Sequence, residues 1–276
     1  MLIGGSIEQA MYLERKKINK PKKESVILFC CHVLNDNIMR EFRKINDYCS
    51  KNFDIVLSYD NSRHDLKIEG RYKYNIVYNG IGKKLGYNSK LFVNIPELHL
   101  KYPELYFSPE YHLLAFYLEN QNYKYYWRID YDVRFYGKWN KFFDSFLKND
   151  ADLIAANLKS YIEDEYKKLW MWNKINLVEV DNSKKLRVFF PIVRLSNRAL
   201  RLLDRRYKTG IYGFCEIIVP TLLNLEGFKI QDMGKQWYDD SIFSMDETTL
   251  KKKNKLHHTV ECLRVVPMPW HSLKKP

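Results

Sequence analysis

Residues 125–137 read YYWRIDYDVRFYG, an aromatic and apolar run interrupted by two acids one residue apart, Asp130 and Asp132, and followed by Gly137. Read as a strand, this segment points the side chains of residues 130 and 132 to one face and Tyr131 to the other, so two carboxylates converge on one spot. Like charges held together call for a cation. Arg128 and Arg134 share the acids' parity and can supply it. A hard divalent ion such as Mg²⁺ or Mn²⁺ can also supply it, because such ions take oxygen ligands and commonly bind through one or two carboxylates plus substrate phosphate oxygens.

The flanking sequence places this strand in an alternating pattern. Upstream, SVILFCC (25–31) is a short apolar run of strand type. Asn35 and Asp36 then offer caps for a helix whose apolar stripe is Ile38, Met39, Phe42, Ile45 and Cys49. FDIVLSYD (53–60) and YNIVYNG (74–80) read as further strands, and GIGKKLGYNSK as a loop. SPEYHLLAFYLEN (108–120) reads as a helix with Ser108 as cap and Pro109 at its first position. Downstream, Trp139, Phe142, Phe143, Phe146 and Leu147 specify an amphipathic helix with all five turned inward, and DLIAAN (152–157) is the next strand. Short apolar strands alternating with helices indicate an α/β fold on a largely parallel sheet, with its ligand site at the carboxyl ends of the strands. Asp60, Asp130 and Asp132 all fall near such ends.

The rest of the chain is less regular. Residues 161–185 are a long excursion carrying Trp170 and Trp172, whose rings can stack on a ligand or pack in the core. LRVFFPIVRL (186–195) reads as a strand, Ser196 as the cap of a helix, and GIYGFCEIIVPTLLNLEGFKI (210–230) as a Gly-flanked loop opening a helix that ends before Gly227. Residues 1–24 read as an N-terminal arm or helix.

Composition narrows the function classes. The 46 Lys and Arg against 33 Asp and Glu leave a formal charge of +13, which favours anionic partners. The Lys-rich stretches 14–24 and 251–255 read as solvated flanks or as contacts with a polyanion or membrane surface. Five cysteines without C-x-x-C spacing argue against a zinc ribbon or a disulfide scaffold and fit a reducing cytosol. No apolar run reaches the roughly 18 residues of a membrane span, so the expected location is cytoplasmic, or peripheral at the inner membrane face.

WRIDYDVRF resembles the D-x-D segment of GT-A-fold glycosyltransferases, and GFCEIIVPTLL and PWHSLK resemble further local motifs of that family. The resemblance implies a GT-A-like, Rossmann-type mixed and mainly parallel sheet flanked by helices. It also implies one catalytic domain over 25–276, with a nucleotide-sugar half (25–157) and an acceptor-binding and catalytic half (158–276). The implied activity is metal-dependent and inverting: transfer of a sugar from a nucleotide-diphosphate donor, UDP-sugar favoured, to a glycan or lipid-linked acceptor in bacterial surface polysaccharide or lipopolysaccharide synthesis. Mn²⁺ or Mg²⁺ is the implied cofactor.

By the same resemblance Asp132 touches the metal and Asp130 the ribose or the metal's water, and His271 completes the metal shell. Asp60, His32, Arg128 and Lys274 meet the nucleotide sugar, Trp170 and Trp172 the acceptor, and Glu216 is the catalytic carboxylate. Each has a plainer reading. YDNS is an ordinary turn around Asp60, an acid such as Glu216 suits any first helical turn, and His32 and His271 can be structural. His257 and His258 sit in a Lys-rich loop without ligand spacing and are set aside as metal ligands. Two other classes compete: a basic nucleic-acid-binding protein, which leaves D-Y-D unexplained, and a metal-dependent nucleotidyltransferase, for which GIGKKLG lacks the G-K-[ST] ending of a phosphate loop.

Overall fold

The apolar run at 25–31 forms strand β1 (Ser25–Cys31), buried along its whole length. In the computed structural model, the residues described are 23–62, 72–88, 104–165, 167, 170–177, 180–238 and 254–258. His271, Lys274 and residues 1–22 of the expected arm lie outside them. Helix α1 (Asp36–Cys49) follows β1 and starts as the caps predict, with the Asn35 side chain accepting the Ile38 N–H at 3.0 Å. Its stripe Ile38, Phe42, Ile45 and Cys49 is buried. Strands β2 (Phe53–Asp60) and β3 (Lys73–Val77) come next.

The expected loop at 80–90 contains a short helix, α2 (Ile81–Lys84), because the buried Glu104 carboxylate accepts the N–H groups of Gly80 and Gly82 at its start. Those donors are therefore already engaged by the protein. Helices α3 (Glu104–Phe107) and α4 (Tyr111–Glu119) lead to β4 (Tyr125–Asp130). Helix α4 begins two residues after Pro109, behind a turn in which the Tyr111 N–H meets the Ser108 carbonyl at 3.0 Å. The Glu110 side chain points into the core and caps nothing.

Strand β5 (Arg134–Phe135), α5 (Trp139–Asp144) and β6 (Leu153–Ser160) follow. After Asp144 the chain tightens: Phe146 and Leu147 donate to residues three positions back. That winding turns Leu147 outward, 43% exposed, while Trp139, Phe142, Phe143 and Phe146 stay buried as expected. Strand β7 (Leu186–Ser196), α6 (Asn197–Lys208), α7 (Cys215–Leu225), β8 (Ile230–Asp232) and β9 (Leu256–His257) complete the described elements.

Among the described residues, seven strands form one sheet in the order β3-β2-β1-β4-β7-β6-β8. Strands β1, β2, β3 and β4 are mutually parallel, as are β6 and β8, and β7 runs antiparallel to both its neighbours. The fold is thus α/β, with a mixed, mainly parallel sheet flanked by helices. Alternation along β1 sends Val26, Leu28 and Cys30 to the layer that also holds residues of α4, α6 and α7. Ile27, Phe29 and Cys31 go to the layer shared with α1 and α5. Burying each large apolar side chain here stabilises the fold by about 1.5–3 kcal/mol.

Strand β7 breaks its own alternation. Val188 and Phe190 face the first layer, yet Ile192 faces the second and Val193 the first again. The pairing with β6 shifts register at the same place, between Ala155 and Ala156. Pro191 lies at this irregularity, where its missing N–H breaks no ladder bond.

Candidate active site

Strand β4 ends at Asp130, so the two acids converge through a turn and not through strand parity as the sequence reading has it. The Tyr131 N–H donates to the Cys30 carbonyl at 2.9 Å and the Val133 N–H to the Asp130 carbonyl at 3.0 Å, which carries Asp132 round beside Asp130. The chain then enters β5, whose antiparallel pairing with β9 sets Arg134 opposite His257 and Phe135 opposite Leu256. The next residue, His258, is thereby delivered to the turn. Its Nε2 lies 3.4 Å from an Asp132 carboxylate oxygen, and one ligand atom each from Asp130, Asp132 and His258 fall within 4.8 Å of one another. This corrects the setting aside of His258. His271 lies outside the described residues, and the histidine that the structure brings to the acids is His258.

Asp130 is ion-paired with Arg128, whose Nη1 also donates to the Phe190 carbonyl at 3.0 Å. Burial raises the Asp130 pKa; Arg128 opposes the rise and the neighbouring Asp132 charge adds to it. For His258 burial acts downward, but the adjacent Asp132 and Asp130 outweigh it and leave the pKa above its ordinary value. Both shifts express one fact: two carboxylates and few cations share a small, partly dry space. The donor set of two carboxylate oxygens and an imidazole nitrogen fits Mn²⁺ or Mg²⁺, and a cation there would relieve the repulsion that Arg128 offsets only in part.

Glu216 lies in the first turn of α7, half-buried, with Oε1 accepting the Phe190 N–H at 3.1 Å. The irregularity at Pro191 explains why Phe190 can serve: its N–H holds Glu216 and its carbonyl holds Arg128. Burial pushes the Glu216 pKa up to about 8, against the Phe190 hydrogen bond and the charges of Arg187, His258 and Arg128. A carboxyl poised near neutrality, sharing an electrostatic neighbourhood with His258, is suited to exchanging a proton with a bound substrate.

The remaining expected residues fall into two groups. Beside the site, His32 follows β1 and packs edge-on against Tyr131, ring centroids 5.0 Å apart. Arg128 is 4% exposed and its guanidinium is engaged by Asp130 and Phe190, so it braces Asp130 from within. Asp60 ends β2 and accepts the Ser62 N–H at 2.8 Å, the turn that YDNS offers. Farther along the sheet, Trp172 is buried and its indole N–H donates to Asp164 at 3.2 Å, which is the core-packing alternative. Trp170 is partly buried, with the Arg187 guanidinium 4.1 Å over its ring. Arg187 and Asp164, both 1% exposed at the side chain, pair through two 2.8 Å bonds and tie this excursion to β7.

No family model matches the chain, and no curated protein matches it. Among solved structures it is similar to the crystal structure of mouse xyloside xylosyltransferase 1 in its apo form, with 11% sequence identity and a TM-score of 0.36 over 89% of this chain and 99% of that one. No helix among the described residues is long and apolar enough to cross a membrane.

Proposed function

We propose that this chain is a divalent-metal-dependent glycosyltransferase that moves a sugar from a nucleotide-diphosphate donor, UDP-sugar favoured, to a glycan or lipid-linked acceptor. The observation that carries the reading is the convergence of Asp130, Asp132 and His258 at the carboxyl end of β4, with Glu216 held to the neighbouring strand through Phe190. The carboxyl ends of parallel strands are where α/β sheets bind ligands. Asp130, Asp132 and His258 would hold the ion, which when bound supplies Lewis-acid compensation for charge on a departing diphosphate.

The chain's own residues do the rest. Arg128 fixes the Asp130 carboxylate through their ion pair. Glu216 accepts the proton of an acceptor hydroxyl, a poor nucleophile until deprotonated, in an inverting transfer. His32 and Asp60, at the ends of β1 and β2, border the donor side, and Trp170 borders the acceptor side. Residues 25–157 form the donor half and 158–276 the acceptor half of one catalytic domain, working in bacterial surface polysaccharide or lipopolysaccharide synthesis.

The test is a thermal-shift screen of wild type and Asp132→Asn against UDP, GDP and CMP, each with Mn²⁺ or chelator, since a ligand selective for the folded state raises apparent stability. The expected result is a manganese-dependent shift with one nucleotide, lost in the variant. Incubation with the matching nucleotide sugar should then release nucleoside diphosphate and no pyrophosphate. Absence of any nucleotide shift would overturn the reading, and pyrophosphate release would replace it with nucleotidyl transfer.

A further inference from the structure

Helix α6 buries Ala199, Leu200, Leu202, Leu203 and Tyr207 against the sheet. Its other face carries Arg198, Arg201, Arg205 and Lys208, all exposed. The spacing of three, four and three residues aligns them in one stripe about 15 Å long at 1.5 Å rise per residue. Positive charge continues beyond both ends. At the start, the Asn197 N–H donates to the carbonyl of Lys124, whose side chain is exposed. At the end, Gly86 lies against the Lys208 stem, just after the exposed Lys83 and Lys84.

Four acids on or near this helix are already matched: Asp152 by Arg198, Asp204 by Lys208, Glu226 by Arg206 and Asp150 by Lys229. Arg201 and Arg205 have no carboxylate partner among the described residues; the Arg201 guanidinium reaches only the Asn197 side-chain oxygen at 3.4 Å. The middle of the stripe is therefore a pair of uncompensated guanidinium groups, the type of side chain best suited to phosphate oxygens.

We propose that α6 docks this chain on an anionic lipid bilayer, its stripe lying flat on the phosphate layer. The line of like charge on the outer face of a single helix matches an extended planar anion. Leu225, 41% exposed on α7 beside Glu226, which pairs with Arg206 of α6, is an aliphatic side chain that can enter the headgroup region. Single-stranded nucleic acid would instead be met by open aromatic rings on which bases stack; the four stripe residues carry none, and the Phe228 ring beside them is covered by the Arg198 guanidinium, 4.8 Å from its centroid. The proposal goes beyond the glycosyltransferase reading and does not depend on it, since α6 contributes nothing to the Asp130–Asp132–His258 cluster.

The experiment is co-sedimentation of the full chain with phosphatidylcholine vesicles and with mixed phosphatidylcholine and phosphatidylglycerol vesicles, at low and high salt. Wild type should sediment only with the mixed vesicles and be released by salt. Arg201→Glu/Arg205→Glu should weaken that binding about tenfold or more, whereas Lys141→Glu/Lys148→Glu, the same charge change on and after α5, should leave it nearly intact. The melting temperature and any nucleotide-induced shift should be unchanged in both variants, which separates failure here from failure of the catalytic reading. Equal vesicle binding by wild type and Arg201→Glu/Arg205→Glu would overturn the proposal. So would retention of wild type by a single-stranded RNA oligonucleotide and not by the mixed vesicles.

Discussion

Glu110 should make the protein less stable as pH rises, and Glu110→Gln should remove that effect. The side chain is 1% exposed; Oε1 accepts the Tyr207 hydroxyl at 2.8 Å and Oε2 has no hydrogen-bond partner among the described residues. Burial raises its pKa from the ordinary 4.5 to about 8, opposed in part by the Tyr207 hydroxyl. The folded chain therefore holds a proton that the unfolded chain releases between those values, so stability is lost as pH climbs from about 4.5 to about 8. At 1.36 kcal/mol per pH unit the wild type forfeits on the order of 3 kcal/mol at pH 7 but only about 1 kcal/mol at pH 5. A glutamine has no proton to release, and its oxygen can still accept from Tyr207. Urea denaturation of both proteins at the two pH values should show Glu110→Gln gaining about 2 kcal/mol relative to wild type on going from pH 5 to pH 7. A difference between the two proteins that does not change with pH would refute the reasoning.

Three further outcomes follow from the same contacts. His258→Ala should weaken Mn²⁺ binding, measured by calorimetric titration, by about tenfold or more, because it removes a ligand and the partner of Asp132; unchanged affinity would take His258 out of the metal site. Arg187→Ala should cost about 3–5 kcal/mol in denaturant unfolding by leaving Asp164 charged and buried, and Arg187→Ala/Asp164→Ala should recover part of it. A single-variant cost under about 1 kcal/mol would mean the pair does not hold the excursion. Gly213 pairs with Ile175 in an isolated antiparallel β-bridge, and Gly213→Ala should cost about 1–3 kcal/mol, since an added Cβ would meet Ile175 Cγ2 at 2.6 Å and its Cα at 3.0 Å; an unchanged melting temperature would show that this bridge yields freely.

Much of the fold was legible because it is encoded over short distances. SVILFCC and FDIVLSYD became strands with the bounds their apolar runs imply, and α1 begins at the asparagine that caps it. D-Y-D was legible as a candidate site for the same reason, two acids at the end of an apolar strand. The departures from those readings have two causes, one local and one distant. Leu147 was expected inward, but the last turn winds tighter than an α-helix and points it out. The glycines of residues 80–90 signal a loop, and the carboxylate of Glu104, farther along the chain, organises its start into a helical turn.

By itself, then, the sequence determined an α/β chain of alternating strands and helices, a basic surface, and a pair of acids at a strand end. Local periodicity and side-chain chemistry carry all three. Only the tertiary structure decided which groups join those acids. His258 reaches them through the two-residue β5–β9 pairing, and Phe190 links Arg128 to Glu216 because β7 loses its alternation at Pro191. Neither leaves a local signal, since strand pairing and register are chosen by contacts between segments distant in sequence.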